Sequence, residues 1–251
     1  MSQASSKGRE SLLIPRRRRE VQLLFGVNIM ENVNFDTHAA DYNSTLQKQL
    51  SFFDQNDTYF AEYKISIVKE RLPYAPERIL EYGCGVGRNL RPLKEAFPKA
   101  GISGCDISKD SLKYAQEHSF ATLYLLGQDL IREKFDLVFV SCVFHHIDPV
   151  SRKRVAAEIH RLLDDDGDAF VFEHNPHNPV TRRLVDRCPF DAGAVLLTCR
   201  ELERLFSLVG FATVHCQYTL FIPSRFRVLR PIEKWLGWLP LGGQYCVHFK
   251  K

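Results

Sequence analysis

No stretch of this sequence approaches the roughly 18–20 consecutive apolar residues that span a bilayer. The N-terminus also lacks the apolar core of a secretory signal. A membrane-spanning or exported product is not expected, and a cytoplasmic location is the default. Cys-x-x-Cys pairs are missing too. The seven cysteines (Cys84, Cys105, Cys142, Cys188, Cys199, Cys216 and Cys246) are odd in number. Neither a disulfide framework nor a zinc site is expected, and most of the cysteines read as small buried hydrophobes. The histidines and carboxylates show no recognised metal-binding spacing, so no metal is expected. Net charge is lacking where a duplex-binding protein would need it. Residues 1–30 hold six basic and two acidic groups, leaving 28 of each for all that follows. A neutral folded part gives no support to a nucleic-acid-binding face.

What is present divides the chain into three. Residues 1–30, with the run Arg16–Arg19, read as a flexible basic leader. Residues 31–75 read as an N-terminal helical cap, because Phe52, Phe53, Tyr59, Phe60, Tyr63, Ile67 and Val68 recur at near-helical spacing. Residues 76–251 alternate strands with helices. Strands are expected at Arg78–Tyr82, Gly101–Asp106, Thr122–Leu126, Phe135–Cys142, Ala169–Glu173, Thr213–Ile222 and Gln244–Phe249. Helices are expected from about Arg88 to Phe97, Ser108 to Glu117 and Val150 to Leu163, the last closed by a turn at Asp164–Gly167. Thr198-Cys199-Arg200-Glu201 fits a capping box and starts another. Such alternation gives a mainly parallel sheet with helices on both faces. Ligands of these sheets bind outside the carboxyl ends of the strands.

The first strand end reads Glu81-Tyr82-Gly83-Cys84-Gly85-Val86-Gly87. Three alternating glycines let the backbone turn tightly and let a ligand approach the main chain. The dinucleotide fingerprint is GxGxxG; the spacing here is GxGxG, with a carboxylate two residues ahead that would repel a pyrophosphate. Asp106, ending the second strand, has two oxygens that can take two hydroxyl donors, a trait shared with nicotinamide enzymes. Facing an open cleft, its removal is expected to leave stability unchanged.

The segment from Glu81 to Gly87 resembles the first motif of the class I S-adenosylmethionine-dependent methyltransferases, and the likeness runs from about Phe35 to Phe249. It implies an α/β, Rossmann-like fold of seven strands, and S-adenosylmethionine as cofactor. It further implies that Gly83, Gly85 and Gly87 pass beside the cofactor while Glu81 orients its amino acid part. Asp106 would hold the ribose and Ile107 would lie on the adenine. Asp129, or Gln128, would meet the adenine amino group. Ser141 joins these at the fourth strand end, and Tyr42 in the cap would stand nearest the sulfonium.

The acceptor side is read from the fourth and fifth strand ends. Ser141-Cys142-Val143-Phe144-His145-His146-Ile147 and Phe172-Glu173-His174-Asn175 both emerge where the methyl group would lie. His145, His146 and His174 are the candidate catalytic groups, since histidine titrates near neutrality. Arg182 or Arg183 could hold an anionic acceptor. Residues 223–241 interleave arginines and a lysine with large apolar residues, and read as a helix lying on a membrane surface or a lid over an apolar acceptor, within an insertion at about 223–243. The expected activity is methyl transfer to a small molecule or lipid-linked acceptor (EC 2.1.1.-). The alternatives are a nucleic-acid methyltransferase and a non-catalytic S-adenosylmethionine-binding protein. The oligomeric state is open.

Overall fold

Seven strands in the order β3-β2-β1-β4-β5-β7-β6 form the frame of the protein in a computed structural model that describes residues 59–222 and 224–251. β1 (Arg78–Tyr82), β2 (Gly101–Asp106), β3 (Ala121–Leu125), β4 (Phe135–Ser141) and β5 (Leu163–His174) run parallel. β7 (Gln244–Lys250) lies antiparallel between β5 and β6 (Ala212–Thr219). β1 and β4 are buried along almost their whole length, as continuous apolar runs covered on both faces must be.

Two apolar cores lie on the two faces. On one face α1 (Tyr59–Arg71) and α2 (Leu90–Ala96) bury Ile65, Val68, Leu90 and Leu93 against Leu137, Phe139, Phe170 and Phe172. On the other, α4 (Arg152–Leu162) and α6 (Cys199–Ser207) bury Ile159, Leu162, Leu202 and Phe206 against Val138, Val140, Val171 and Phe249. Each fully buried side chain of this size contributes about 1.5–3 kcal/mol.

The helix starts follow local chemistry. Ser108 caps α3 (Lys109–Ala115) by accepting from Ser111 N. Asn178 caps α5 (Pro179–Arg187) by accepting from Val180 N and Thr181 N, with Pro179 at the first helical position. The Thr198–Glu201 capping box forms in both directions at the start of α6.

Three expectations need correction. The turn at Asp164–Gly167 is not a separate element: β5 begins at Leu163, pairs there with Phe135, and resumes pairing at Asp168 with Leu137. The residues between are looped out, and Asp166 takes a positive φ of 65°. Residues 224–241 do not form one amphipathic helix. They make a 3-10 segment, Ser224–Ile232, kinked at Phe226, and one short turn of helix, α7 (Glu233–Leu236). Cys199 on α6 and Cys216 on β6 are paired sulfur to sulfur, while the other five cysteines are free; their spacing in the sequence gave no sign of this contact. The leader and most of the cap, Tyr42 included, lie outside the described residues, and α1 falls within the expected cap.

Candidate active site

The ends of β1, β2 and β4 open onto one pocket lined by Tyr82, Gly83, Gly85, Val86, Asp106, Ile107, Leu126, Cys142, Val143 and His146, among others. Its base is the glycine loop, where Gly83, Gly85 and Gly87 have φ of 75°, 52° and 85°. A Cβ on Gly83 would come within 2.5 Å of Val143 Cγ2, whereas one on Gly85 would meet nothing within 4 Å. Gly85 thus faces the space a ligand would take. Gly87, expected at the cofactor, is outside the pocket lining. Its missing side chain instead lets the start of α2 pack beside His118 and Ala115.

Glu81 is buried beneath this loop. Its Oε1 accepts from Asn89 Nδ2 at 2.5 Å, and its Oε2 is buried with no hydrogen-bond partner among the described residues. Burial pushes its carboxyl up to about 8, only partly offset by Asn89 and Lys64. A buried orphan oxygen of this kind costs about 1–3 kcal/mol unless a ligand donor meets it. Sequence reasoning missed Lys64. It comes from α1, is 8% exposed, and donates from Nζ to Ser141 Oγ at 2.7 Å. Ser141, expected at the cofactor, is outside the pocket lining and accepts from this ammonium instead. Only the fold brings Lys64 to the end of β4; a lysine in a helical pattern otherwise reads as solvated.

Asp106 and Ile107 line the pocket as expected. The Asp106 carboxylate is not idle, however: Oδ2 accepts from Gly85 N and Oδ1 from Ser108 N, both at 2.8 Å. It fixes the glycine loop and the turn into α3, so the expectation that its loss spares stability is corrected. Asp129 is exposed and does not line the pocket, because its Oδ2 turns back to accept from Leu125 N at 2.6 Å. Leu126 takes the wall position at the β3 end.

On the acceptor side the chain leaves β4 through Cys142, whose φ of 59° is left-handed. A non-glycine residue there is uncommon and held by its surroundings. Lys64 Nζ lies 3.8 Å from the Cys142 sulfur, and Gln244 Nε2 donates to it at 3.3 Å. Burial would raise this thiol, but Lys64 and His174 bring it down to about 6.

The 3-10 turn Phe144–His146 then places the paired histidines. His145 is fully buried. Its Nδ1 lies 2.6 Å from Glu173 Oε2, and its Nε2 lies 3.4 Å from Asp191 Oδ1. Glu173 Oε1 accepts from Val143 N and Phe144 N at 2.8 and 2.6 Å. Burial alone would lower the His145 pKa, but the two carboxylates outweigh it and hold the ring protonated, to about 10. His145 itself is not among the residues that line the pocket.

His146 lines the pocket, and its Nε2 also lies 3.4 Å from Asp191 Oδ1. Burial and the neighbouring His145 charge push it down to about 3, so its ring is neutral. His174 is half-buried, with its ring centroid 4.9 Å from that of His145. Arg182 and Arg183 are exposed on α5. Asp191, delivered by the 3-10 turn Pro189–Asp191, was also missed as a site residue. Its place in the sequence, far from both strand ends, carries no signal of its meeting the histidines.

Residues 80–169 match the family model described as a methyltransferase domain. Juvenile hormone acid O-methyltransferase of Bombyx mori is 34% identical over 173 residues, which is 58% of this chain and 60% of that protein. Malonyl-[acyl-carrier protein] O-methyltransferase of Legionella pneumophila is 29% identical over 53% of this chain and 45% of its own length. The chain thus spans about half the length of these two curated relatives. A solved S-adenosylmethionine-dependent methyltransferase from Thermotoga maritima superposes with a TM-score of 0.60 at 20% identity, over 86% of this chain and 98% of its own. That likeness shows the shared fold. The glycine loop, Glu81 and Asp106 all fall within residues 80–169, and this stretch of the chain is an S-adenosylmethionine-dependent methyltransferase domain.

Proposed function

We propose that this protein transfers the methyl group of S-adenosylmethionine to an oxygen of a small or lipid-linked acceptor. The observation that carries the reading is the pocket at the ends of β1, β2 and β4; supporting it, Glu81 at the end of β1 has a buried Oε2 that lacks a donor among the described residues. The cofactor carries an ammonium, a carboxylate and a ribose diol. Glu81 suits the ammonium, Lys64 the carboxylate and Asp106 the diol, while Ile107 and Leu126 offer apolar walls for the adenine. The cofactor supplies the reactive sulfonium; the protein's own share is alignment of donor and acceptor.

Of the three candidate histidines, His146 takes the acceptor side, because it lines the pocket and is neutral. His145 acts through it, held by Glu173 and Asp191. His174 stands beside Cys142, which lines the same pocket. Oxygen as the methylated atom is supported by the names of the two curated relatives, both O-methyltransferases. A lipid-linked acceptor is supported by the exposed apolar side chains of residues 226–241, which lie beyond β6 at the sheet edge.

Isothermal titration calorimetry tests the cofactor half. S-adenosylhomocysteine is expected to bind in the micromolar range and NAD not at all, and tight NAD binding with none for S-adenosylhomocysteine would overturn the reading. Incubation with methyl-labelled cofactor and an extract of the source cell, followed by mass spectrometry of the labelled product, tests the acceptor.

A further inference from the structure

We propose that His145, His146 and Asp191 form a binding site for a four-coordinate divalent transition-metal ion of the zinc class, with its open position toward the pocket. One carboxylate oxygen, Asp191 Oδ1, stands 3.4 Å from Nε2 of His145 and 3.4 Å from Nε2 of His146. All three groups can present ligand atoms within 4.8 Å of one another. Hydrogen bonds between a cationic nitrogen and a carboxylate close to about 2.7–2.9 Å, so both contacts are loose as hydrogen bonds. They fit another geometry. Ligands about 2.0–2.1 Å from a tetrahedral ion are separated by roughly 3.3–3.4 Å along the tetrahedron's edge. An octahedral ion at the same bond length of about 2.0–2.1 Å would draw adjacent ligands to roughly 2.8–3.0 Å.

Two further features agree. The ring of His145 is turned by Glu173, which meets Nδ1 at 2.6 Å and is itself fixed by Val143 N and Phe144 N. A carboxylate on the far nitrogen is the support that metal-bound histidines ordinarily have. Charge is the other. Glu173 is fully buried and the Asp191 side chain is 12% exposed, so two carboxylates share a space with little water. A divalent ion with neutral imidazoles balances them; the ion replaces the hydrogens that the two rings otherwise direct at Asp191. Two imidazoles and a carboxylate suit zinc or its neighbours in the first transition row. His146 also lines the cofactor pocket, so a fourth ligand can come from there. Resting on the methyl-transfer reading above, that ligand is an oxygen of the acceptor.

Cobalt(II) reports both coordination number and donor type. The full chain, stripped by chelator and titrated with CoCl2, is expected to show the intense visible bands of four-coordinate cobalt with nitrogen and oxygen donors, saturating at one ion per chain. Competition by ZnCl2 should abolish them. Asp191→Asn and His146→Ala should each lose the bands, and Glu173→Gln should weaken binding about 10–100-fold. Thermal unfolding and S-adenosylhomocysteine titration of Asp191→Asn show that the variant is folded. They also separate this site from the cofactor reading, since either can fail alone. The proposal is overturned by weak, six-coordinate-type absorption in the wild type, or by bands that survive both substitutions. A cobalt–thiolate charge-transfer band would put the ion on a cysteine instead and would equally overturn it.

Discussion

At the scale of single residues, the site is built from groups with more than one task. Asp106 shows this most clearly. Its two oxygens accept from Gly85 N and Ser108 N, and the same carboxylate borders the pocket. On the proposed reading its removal takes away a ribose partner, and it also leaves two backbone donors without their acceptor. Asp106→Ala is therefore expected to weaken S-adenosylhomocysteine binding by about 1–3 kcal/mol and to lower stability without ligand by a similar amount. Calorimetry and denaturant unfolding of the same preparation check the two halves. Full affinity in the variant would rule out the ribose role, and unchanged unfolding would rule out the brace. Glu81 and Lys64 illustrate what a sequence does and does not reveal. Glu81 is legible because its place before the glycines is local. Lys64 is 77 residues from the Ser141 hydroxyl it donates to, and nothing within α1 marks it as different from Lys69. Asp129 fails in the opposite sense: a carboxylate near a strand end looked like a ligand, but the nearest donor was the backbone of its own turn.

At the scale of elements, the parallel strands were the most legible part, because a strand buried on both faces is written as an unbroken apolar run. β1 and β2 fall where the sequence places them. The start of β5 was hidden, since Asp164-Asp165-Asp166-Gly167 has the composition of a turn and forms one, looped out of a strand that keeps its partner on both sides. Just past that loop lies a polar cluster that ties β5 to β7 and to the segment before β1. Asp168 accepts from Tyr74 Oη at 2.6 Å and from Lys250 Nζ at 3.0 Å, and its Oδ1 lies 2.6 Å from His248 Nε2. Burial would raise this carboxyl, but the contacts from His248, Tyr74 and Lys250 hold it below its ordinary value of 3.8. A depressed carboxylate stabilises the fold above its unfolded pKa and loses that contribution as pH falls through the folded one. Asp168→Asn is expected to cost about 1–3 kcal/mol at neutral pH. It should also show a smaller loss of stability than wild type on acidification below about pH 4. Urea unfolding of both proteins across that range decides the matter; parallel acid profiles would show that the cluster is not the source of the effect.

At the scale of the whole molecule, the outer surface is uneven in a way that the composition only hinted at. Among the described residues, seven of the sixteen exposed large apolar side chains fall in one stretch: Phe226, Val228, Leu229, Ile232, Trp235, Trp238 and Leu241, with Val228 at 87%, Trp238 at 77% and Trp235 at 72% exposed. The stretch also carries Arg225, Arg227, Arg230 and Lys234 against a single acid, Glu233. That acid is buried, accepting from Tyr63 Oη and Ile222 N, each at 2.7 Å. The segment is thus pinned to α1 and to the end of β6, while its tryptophans stay outside. Contiguous apolar surface of this kind marks an interaction site more often than a bare face. Amphipathic rings beside cationic side chains suit the boundary of an anionic bilayer. No helix of the described residues is long and apolar enough to cross a membrane, so contact of this sort would be with the surface. The full chain is expected to co-sediment with vesicles containing anionic lipid, and Trp235→Ala/Trp238→Ala to lose most of that binding. Arg16–Arg19 could attract the same lipid without any help from the folded part. The pair of proteins is therefore also compared with all four arginines replaced by serine. If the tryptophan substitutions change nothing on that background, the patch is not a membrane contact. The acceptor then reaches the pocket from water, and a small soluble molecule becomes the substrate class to pursue.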